Sequence, residues 1–216
     1  MTQRDRDAQA WEVARLLWQA QAVAIQPDRP FRYASGIFSP IYCDLRLLMA
    51  YPSQRARIAD LLVQRMREVG TLDTLDVVAG VASSGIPWAA WVAERCGKPM
   101  VYVREAPKDH GKQRLVEGKL SAGQRVVVVE DLVSTGASSL STAGAVRAMG
   151  AVPYQCFSVF TYGLARASLA FRESGLELFA LSDISTLLGV AAREGGLSSA
   201  GERAVRDWLR DQETVA

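Results

Sequence analysis

The chain is poor in the residues that usually announce a special chemistry. It has three cysteines, Cys43, Cys96 and Cys156, an odd number at wide spacing. That excludes a disulfide framework as the basis of the fold and leaves no CxxC pair for zinc; a reducing cytosol is the compartment it fits. A single histidine, His110, rules out a histidine cluster. The net charge of +2, from 25 Lys and Arg against 23 Asp and Glu, supplies no global basic field for nucleic acid. Any anion must therefore be held by local placement. No run approaches 18 apolar residues, so no membrane span is expected, and the first 25 residues lack the continuous apolar stretch of a secretion signal. Neither GxGxxG nor GK[ST] occurs, which excludes the common dinucleotide and P-loop fingerprints.

What remains is an ordinary globular chain. Its 216 residues, 49% hydrophobic and 22% charged, suit one α/β unit with a sizeable core. A first helix is expected over about Asp7–Ala22, with Trp11, Leu16 and Leu17 on one side, and a second from Pro52 to about Val69. Pro27, Pro30, Gly36 and Pro40 break the intervening chain into short extended pieces. The pattern then alternates: strand Asp76–Ala79, helix Ile86–Cys96, strand Met100–Val103, a polar stretch from Arg104 to Gly123, strand Val126–Val129, helix Ser138–Met149 and strand Val152–Phe160. A tail from Leu176 holds one strand and two helices. Strands alternating with helices imply right-handed crossovers and a parallel sheet covered on both faces. Four consecutive valines fit such a sheet, because a strand buried on both faces need not alternate. The five tryptophans (11, 18, 88, 91 and 208) fall in helical patterns and read as core or interface.

Residues 126–139, VVVVEDLVSTGASS, carry the strongest signal. A strand ends at Glu130 and Asp131, and a loop of small residues leads into a helix. Backbone N–H groups in such a loop can approach a phosphate closely, the hydroxyls of Ser134, Thr135 and Ser138 add donors, and the helix N-terminus adds partial positive charge. Carboxylates repel phosphate but accept hydrogen bonds from hydroxyls. A ribose 5-phosphate offers both groups. An ordinary strand, acidic turn and capped helix is the alternative.

The segment resembles the motif with which type I phosphoribosyltransferases bind phosphoribosyl pyrophosphate (PRPP). The resemblance implies that Glu130 and Asp131 hold the ribose hydroxyls while Leu132, Val133, Ser134, Thr135, Gly136, Ala137 and Ser138 surround the 5-phosphate. Three further segments extend it in the family's order, over residues 30–160. Residues 102–118, YVREAPKDHGKQRLVEG, could by themselves be a solvated charge run, but they resemble the mobile catalytic loop of orotate phosphoribosyltransferases. Arg104, Lys108 and His110 match its contacts to pyrophosphate. Residues 31–46, FRYASGIFSPIYCDLR, resemble that enzyme's orotate segment, implying that Ser35 and Gly36, with Ser134, contact the base. Residues 80–87, GVASSGIP, resemble its pyrophosphate loop, with Ser83, Ser84 and Gly85 at the contact positions; Gly80 and Gly85 are expected to supply unusual backbone angles and close approach.

The resemblance thus implies an α/β type I phosphoribosyltransferase fold spanning residues 1–216: a central parallel sheet flanked by helices, a small N-terminal cap or hood from about residues 1–50, and a mobile loop. It implies transfer of ribose 5-phosphate from PRPP to orotate, with Lys108, His110 and Asp131 as the catalytic residues. Mg²⁺ would be carried by PRPP rather than by direct protein ligands, and the active sites would be shared across a cytoplasmic homodimer. No nucleic acid or membrane partner is expected. The alternatives are transfer to another base, or a PRPP-sensing regulator without catalysis. Phe38, Ala106 and Ser84 stand where relatives often carry lysine.

Overall fold

The computed structural model describes residues 2–32, 38–105 and 115–214. Helix α1 (Gln3–Gln19) begins four residues before the expected start. A capping box sets that start: the Thr2 hydroxyl accepts the Asp5 N–H at 3.3 Å, and Asp5 Oδ2 accepts the Thr2 N–H at 2.9 Å. Its buried face is Val13, Ala14 and Leu17, and it packs on the last sheet strand and the helix after it. The chain then runs through β1 (Val23–Ile25), β2 (Phe31–Arg32), β3 (Phe38–Ser39) and β4 (Ile41–Cys43). These form two small antiparallel ladders, β1 with β4 and β2 with β3. A 3₁₀ turn over Leu45–Ala50 leads to α2 (Pro52–Glu68), which opens with proline in the first helical turn, where its missing N–H costs nothing.

The main sheet alternates with helices from there: β5 (Val77–Val81), α3 (Gly85–Cys96), β6 (Met100–Val103), β7 (Val116–Glu117), β8 (Arg125–Val133), α4 (Ala137–Ala148), β9 (Val152–Thr161), α5 (Ala165–Ser174) and β10 (Glu177–Asp183). Helices α6 (Ile184–Arg193) and α7 (Ser199–Thr214) close the chain. Six strands lie in the order β10-β9-β8-β5-β6-β7, parallel except for β7, which returns antiparallel to β6. The expected parallel sheet is therefore present.

Two buried clusters make up the core. Val77, Ala79, Val101 and Val126 join Val146 of α4 in one buried cluster, while Val78, Val81, Val127 and Val129 join Ile58, Leu62, Trp88 and Phe157 in the other. All four valines of 126–129 are fully buried, as the unbroken apolar run requires. Burying side chains of this size stabilises by about 1.5–3 kcal/mol each, which fixes the strands from which the site projects.

Three details differ from the expectation. Helix α5 falls in a stretch where no element was expected. The polar stretch after β6 rejoins the sheet at β7, and the Arg104 N–H donates to the Leu115 carbonyl at 2.9 Å, closing the base of the loop. Strand β8 also continues through Glu130 and Asp131 to Val133. Its two edges end at different places: β5 pairs with it only as far as Gly80–Val129, whereas β9 pairs with it out to Val133–Thr161. From Glu130 onward, β8 is thus open on its β5 side.

Candidate active site

That open edge lies where the topology reverses. The chain moves from β5 outward to β6, and β8 then pairs on the other side of β5. Ligands of open α/β sheets bind beyond the strand carboxyl ends at such a switch point. Here the segment after β5 and the end of β8 flank a polar cleft of about 360 Å³. Ala82, Ser83 and Ser84 form one wall, and Glu130, Asp131, Leu132 and Ser138 another. Tyr42 to Arg46 form a third, with Glu105 at the margin.

Glu130 is 4% exposed and hydrogen-bonded at both carboxyl oxygens. Its Oε2 accepts from the Ser138 hydroxyl at 2.9 Å and more distantly from Ser139 at 3.5 Å; Oε1 accepts the Asp131 N–H at 3.2 Å. Burial pushes its carboxyl well above the ordinary range, and the neighbouring Asp131 charge pushes in the same direction. Burial also raises Asp131, opposed by hydrogen bonds that include the Leu132 N–H at 2.8 Å. The pair therefore resists holding two full negative charges, which lessens its repulsion of an anionic ligand.

After Val133, half-buried Ser134 and Thr135 carry the chain to Gly136, which caps α4 in the left-handed region at φ +83°. A Cβ there would also lie 2.5 Å from Cε2 of Phe171 in α5. Ala137 and Ser138 open the helix, with their N–H groups at its positive end.

The pyrophosphate-loop glycines serve differently from the expectation. Neither Gly80 nor Gly85 has a positive φ. Each provides room instead: a Cβ on Gly80 would meet Ala89 Cβ at 2.9 Å, and one on Gly85 would meet the Val129 carbonyl at 2.7 Å and Glu130 Oε1 at 3.2 Å. Gly85 thus lets α3 start directly against the acid pair.

Arg104 lies at the closed base of its loop, Nη1 3.9 Å from Glu117 Oε1, rather than in the cleft wall. Ser35, Gly36, Ala106, Lys108 and His110 lie outside the described residues. Phe38 is 60% exposed, and its carbonyl accepts from Trp208 Nε1 at 2.9 Å. No tryptophan lines the cleft: Trp88 is fully buried and edge-on to Trp91, Arg193 covers the Trp11 ring, and Trp18 packs against Gly196. Cys43 packs at the cleft wall as an unreactive thiol, pushed up to about 12 by burial.

Tyr42, Asp44, Arg46 and Glu105 were not singled out from the sequence. The first three do lie inside the FRYASGIFSPIYCDLR segment, and an Asp two residues before an Arg was the available sign of an oriented cation. Among the described residues, no group of three or more His, Cys, Asp or Glu is arranged to hold a metal, and no helix is long and apolar enough to cross a membrane.

Comparison with known proteins agrees with this geometry. Residues 50–158 match the phosphoribosyl transferase domain family. The orotate phosphoribosyltransferase of Coxiella burnetii is 41% identical over 205 residues, covering 95% of this chain and 97% of that protein. The solved orotate phosphoribosyltransferase of Aeropyrum pernix superposes with a TM-score of 0.70 at 31% identity, over 83% of this chain and 99% of that one. The Mycobacterium tuberculosis enzyme, solved in complex with PRPP, gives a TM-score of 0.63 at 26% identity, over 83% of this chain and 98% of its own. With an acid pair on the open edge of β8, a phosphate-type loop after it and relatives aligned over nearly their whole length, the chain belongs to the orotate phosphoribosyltransferases.

Proposed function

We propose that the cleft transfers ribose 5-phosphate from PRPP to orotate, giving orotidine 5′-monophosphate and pyrophosphate in pyrimidine biosynthesis. One juxtaposition carries this reading. The carboxylates of β8 sit immediately before a loop of small residues and the N-terminus of α4, across the cleft from Ser83 and Ser84. Glu130 and Asp131 accept hydrogen bonds from the ribose hydroxyls. The N–H groups and hydroxyls of residues 132–138 take the 5-phosphate, with Ser138 exchanging its bond to Glu130 for one to the ligand.

The bond from ribose C1 to the pyrophosphate oxygen breaks, its electron pair leaving with pyrophosphate. The ribose gains oxocarbenium character, and the base nitrogen bonds to C1 as it gives up its proton. No covalent nucleophile is needed; positioning and preorganised charge do the chemistry. Arg104, Lys108 and His110 stabilise the departing pyrophosphate, and loop closure excludes water. Ser35 and Gly36, with Ser134, face the base.

Glu130, Asp131, Asp44 and Glu105 offer only hard oxygen donors, which suits Mg²⁺. With their principal work assigned to ribose hydroxyls, these carboxylates would hold Mg²⁺ only together with oxygens of the bound PRPP. When bound, the ion supplies Lewis-acid neutralisation of the pyrophosphate. The chain acts as one unit, its first fifty or so residues covering the site. It works as a cytoplasmic homodimer in which each loop closes over the partner's cleft.

The test is a purified-protein assay with Mg²⁺ and PRPP, following loss of orotate and release of pyrophosphate, with uracil, adenine and hypoxanthine as alternative acceptors. The expected result is one pyrophosphate per orotate consumed and no comparable use of the other bases. Turnover of another base without orotate would reassign the acceptor.

A further inference from the structure

The described cleft wall is short of positive charge for a ligand that carries a pyrophosphate. It presents the carboxyls of Asp44, Glu105, Glu130 and Asp131, and Ser83 and Ser84 bring hydroxyls without charge. Arg46 is the single cation among the described lining residues.

Its orientation is built in. Asp44 caps the 3₁₀ turn by accepting the Arg46 N–H at 3.1 Å. The same carboxylate takes the guanidinium in a two-pronged pair, Nε to Oδ1 at 2.6 Å and Nη2 to Oδ2 at 2.8 Å. A planar fork held at one edge is fixed in direction. Of its five N–H groups, two are spent on Asp44 and three remain to donate. Arg46 lines the same cleft as Glu130 and Asp131, so its guanidinium shares the acid end with them. The side chain is 57% exposed, as a group awaiting a ligand from solvent should be.

We propose that Arg46 is a further substrate-binding residue: its guanidinium, positioned by Asp44, holds the pyrophosphate of PRPP from the wall formed by Tyr42 to Arg46. This rests on the transferase reading above and adds a cation from the chain's own N-terminal segment to Arg104, Lys108 and His110 of the segment after β6. Pyrophosphate is favoured over the base carboxylate because Arg46 shares its cleft with the segment Ala82–Ser84, at the end of β5.

The probe is inorganic pyrophosphate with Mg²⁺, its affinity measured by calorimetry on the full chain, alongside KM for PRPP and for orotate. Arg46→Ala should weaken pyrophosphate binding and raise the PRPP KM by about 10- to 100-fold, the range for hydrogen bonds to charged groups. The orotate KM should stay within about 2-fold, since that contact is not part of the pair. Arg46→Gln, which keeps bulk and a donor for Asp44, should lose nearly as much, and Arg46→Lys should recover part. Asp44→Asn should fall between wild type and Arg46→Ala, because the arginine remains but loses its anchor. Wild-type pyrophosphate affinity in Arg46→Ala and Arg46→Gln would overturn the proposal, as would a change confined to the orotate KM. If wild type turns over orotate and these variants match it, only the role of Arg46 fails. If wild type binds pyrophosphate through Arg46 but uses no orotate, only the acceptor reading fails.

Discussion

Replacing Gly136 by alanine perturbs the phosphate loop at its most constrained point. The residue sits at φ +83°, where an L side chain costs roughly 1–2 kcal/mol. The new Cβ would also stand 2.5 Å from Phe171 Cε2 and 3.1 Å from Cδ2, well inside contact distance. Phe171 is 2% exposed and anchors α5, so its ring cannot swing into solvent. Overpacking of this kind costs about 1–3 kcal/mol. Together the two effects give about 2–5 kcal/mol, and at roughly 2–4 °C per kcal/mol for a chain of this size the melting temperature should fall by on the order of 4–20 °C. Thermal unfolding followed by circular dichroism reads this directly. In a Phe171→Leu background the ring edge is gone, and the same substitution should cost only the backbone part, about 1–2 kcal/mol. PRPP affinity should drop in both backgrounds, because the α4 N-terminus moves with the loop. A Gly136→Ala protein that melts within about 2 °C of wild type would refute the steric reasoning. An equal loss in the two backgrounds would refute the part assigned to Phe171.

Burial holds the Glu130 carboxyl toward its protonated form, so this group's contribution to stability is complete below its unfolded value near 4.5 and is lost as pH rises through the raised folded value. Glu130→Gln should therefore gain melting temperature relative to wild type more at pH 8 than at pH 5, while losing PRPP turnover; an equal or reversed difference between the two pH values would contradict the assignment. Sharing of sites across the proposed dimer predicts that Asp131→Asn and Lys108→Ala subunits, each a poor enzyme, regain activity when refolded together, since one cleft of each mixed dimer then holds native acids and a native loop. An activity equal to the average of the parents, with subunit exchange verified, would place each loop on its own cleft.

The parts readable in the sequence are those whose physics is local. The Val126–Val129 run read as a strand buried on both faces because such a strand needs no alternation, and Glu130 to Ser138 read as a site because its acids, small residues and helix start are contiguous. The Thr2–Asp5 capping box was equally local, and its T-x-x-D spacing was the sign that α1 starts early. The continuation of β8 past the acids depends on β9 pairing when β5 no longer does, a tertiary fact. Around helix α5 only Leu164, Ala167 and Phe171 are buried while Leu169 is exposed, so the apolar residues of the stretch gave no clean one-sided stripe. The value of Gly85 lies in the carbonyl of Val129, forty-odd residues away in the chain. Arg46 and Glu105 enter the cleft only because the fold brings four separate segments to one end of the sheet.

On the proposed reading, the acid pair on the open edge of β8 holds the ribose of PRPP during transfer to orotate. This is tested by kcat/KM for PRPP, with orotate as acceptor, in Asp131→Asn beside wild type. The substitution preserves size and leaves the Leu132 N–H an oxygen to donate to, so the fold should persist and the melting curve should stay cooperative. An amide accepts ribose hydroxyls more weakly than a carboxylate, and loss of each charge-assisted hydrogen bond corresponds to about 10- to 100-fold. The expected kcat/KM falls by at least that much; an unchanged kcat/KM in a folded Asp131→Asn protein would show that the acid pair does not hold the ribose.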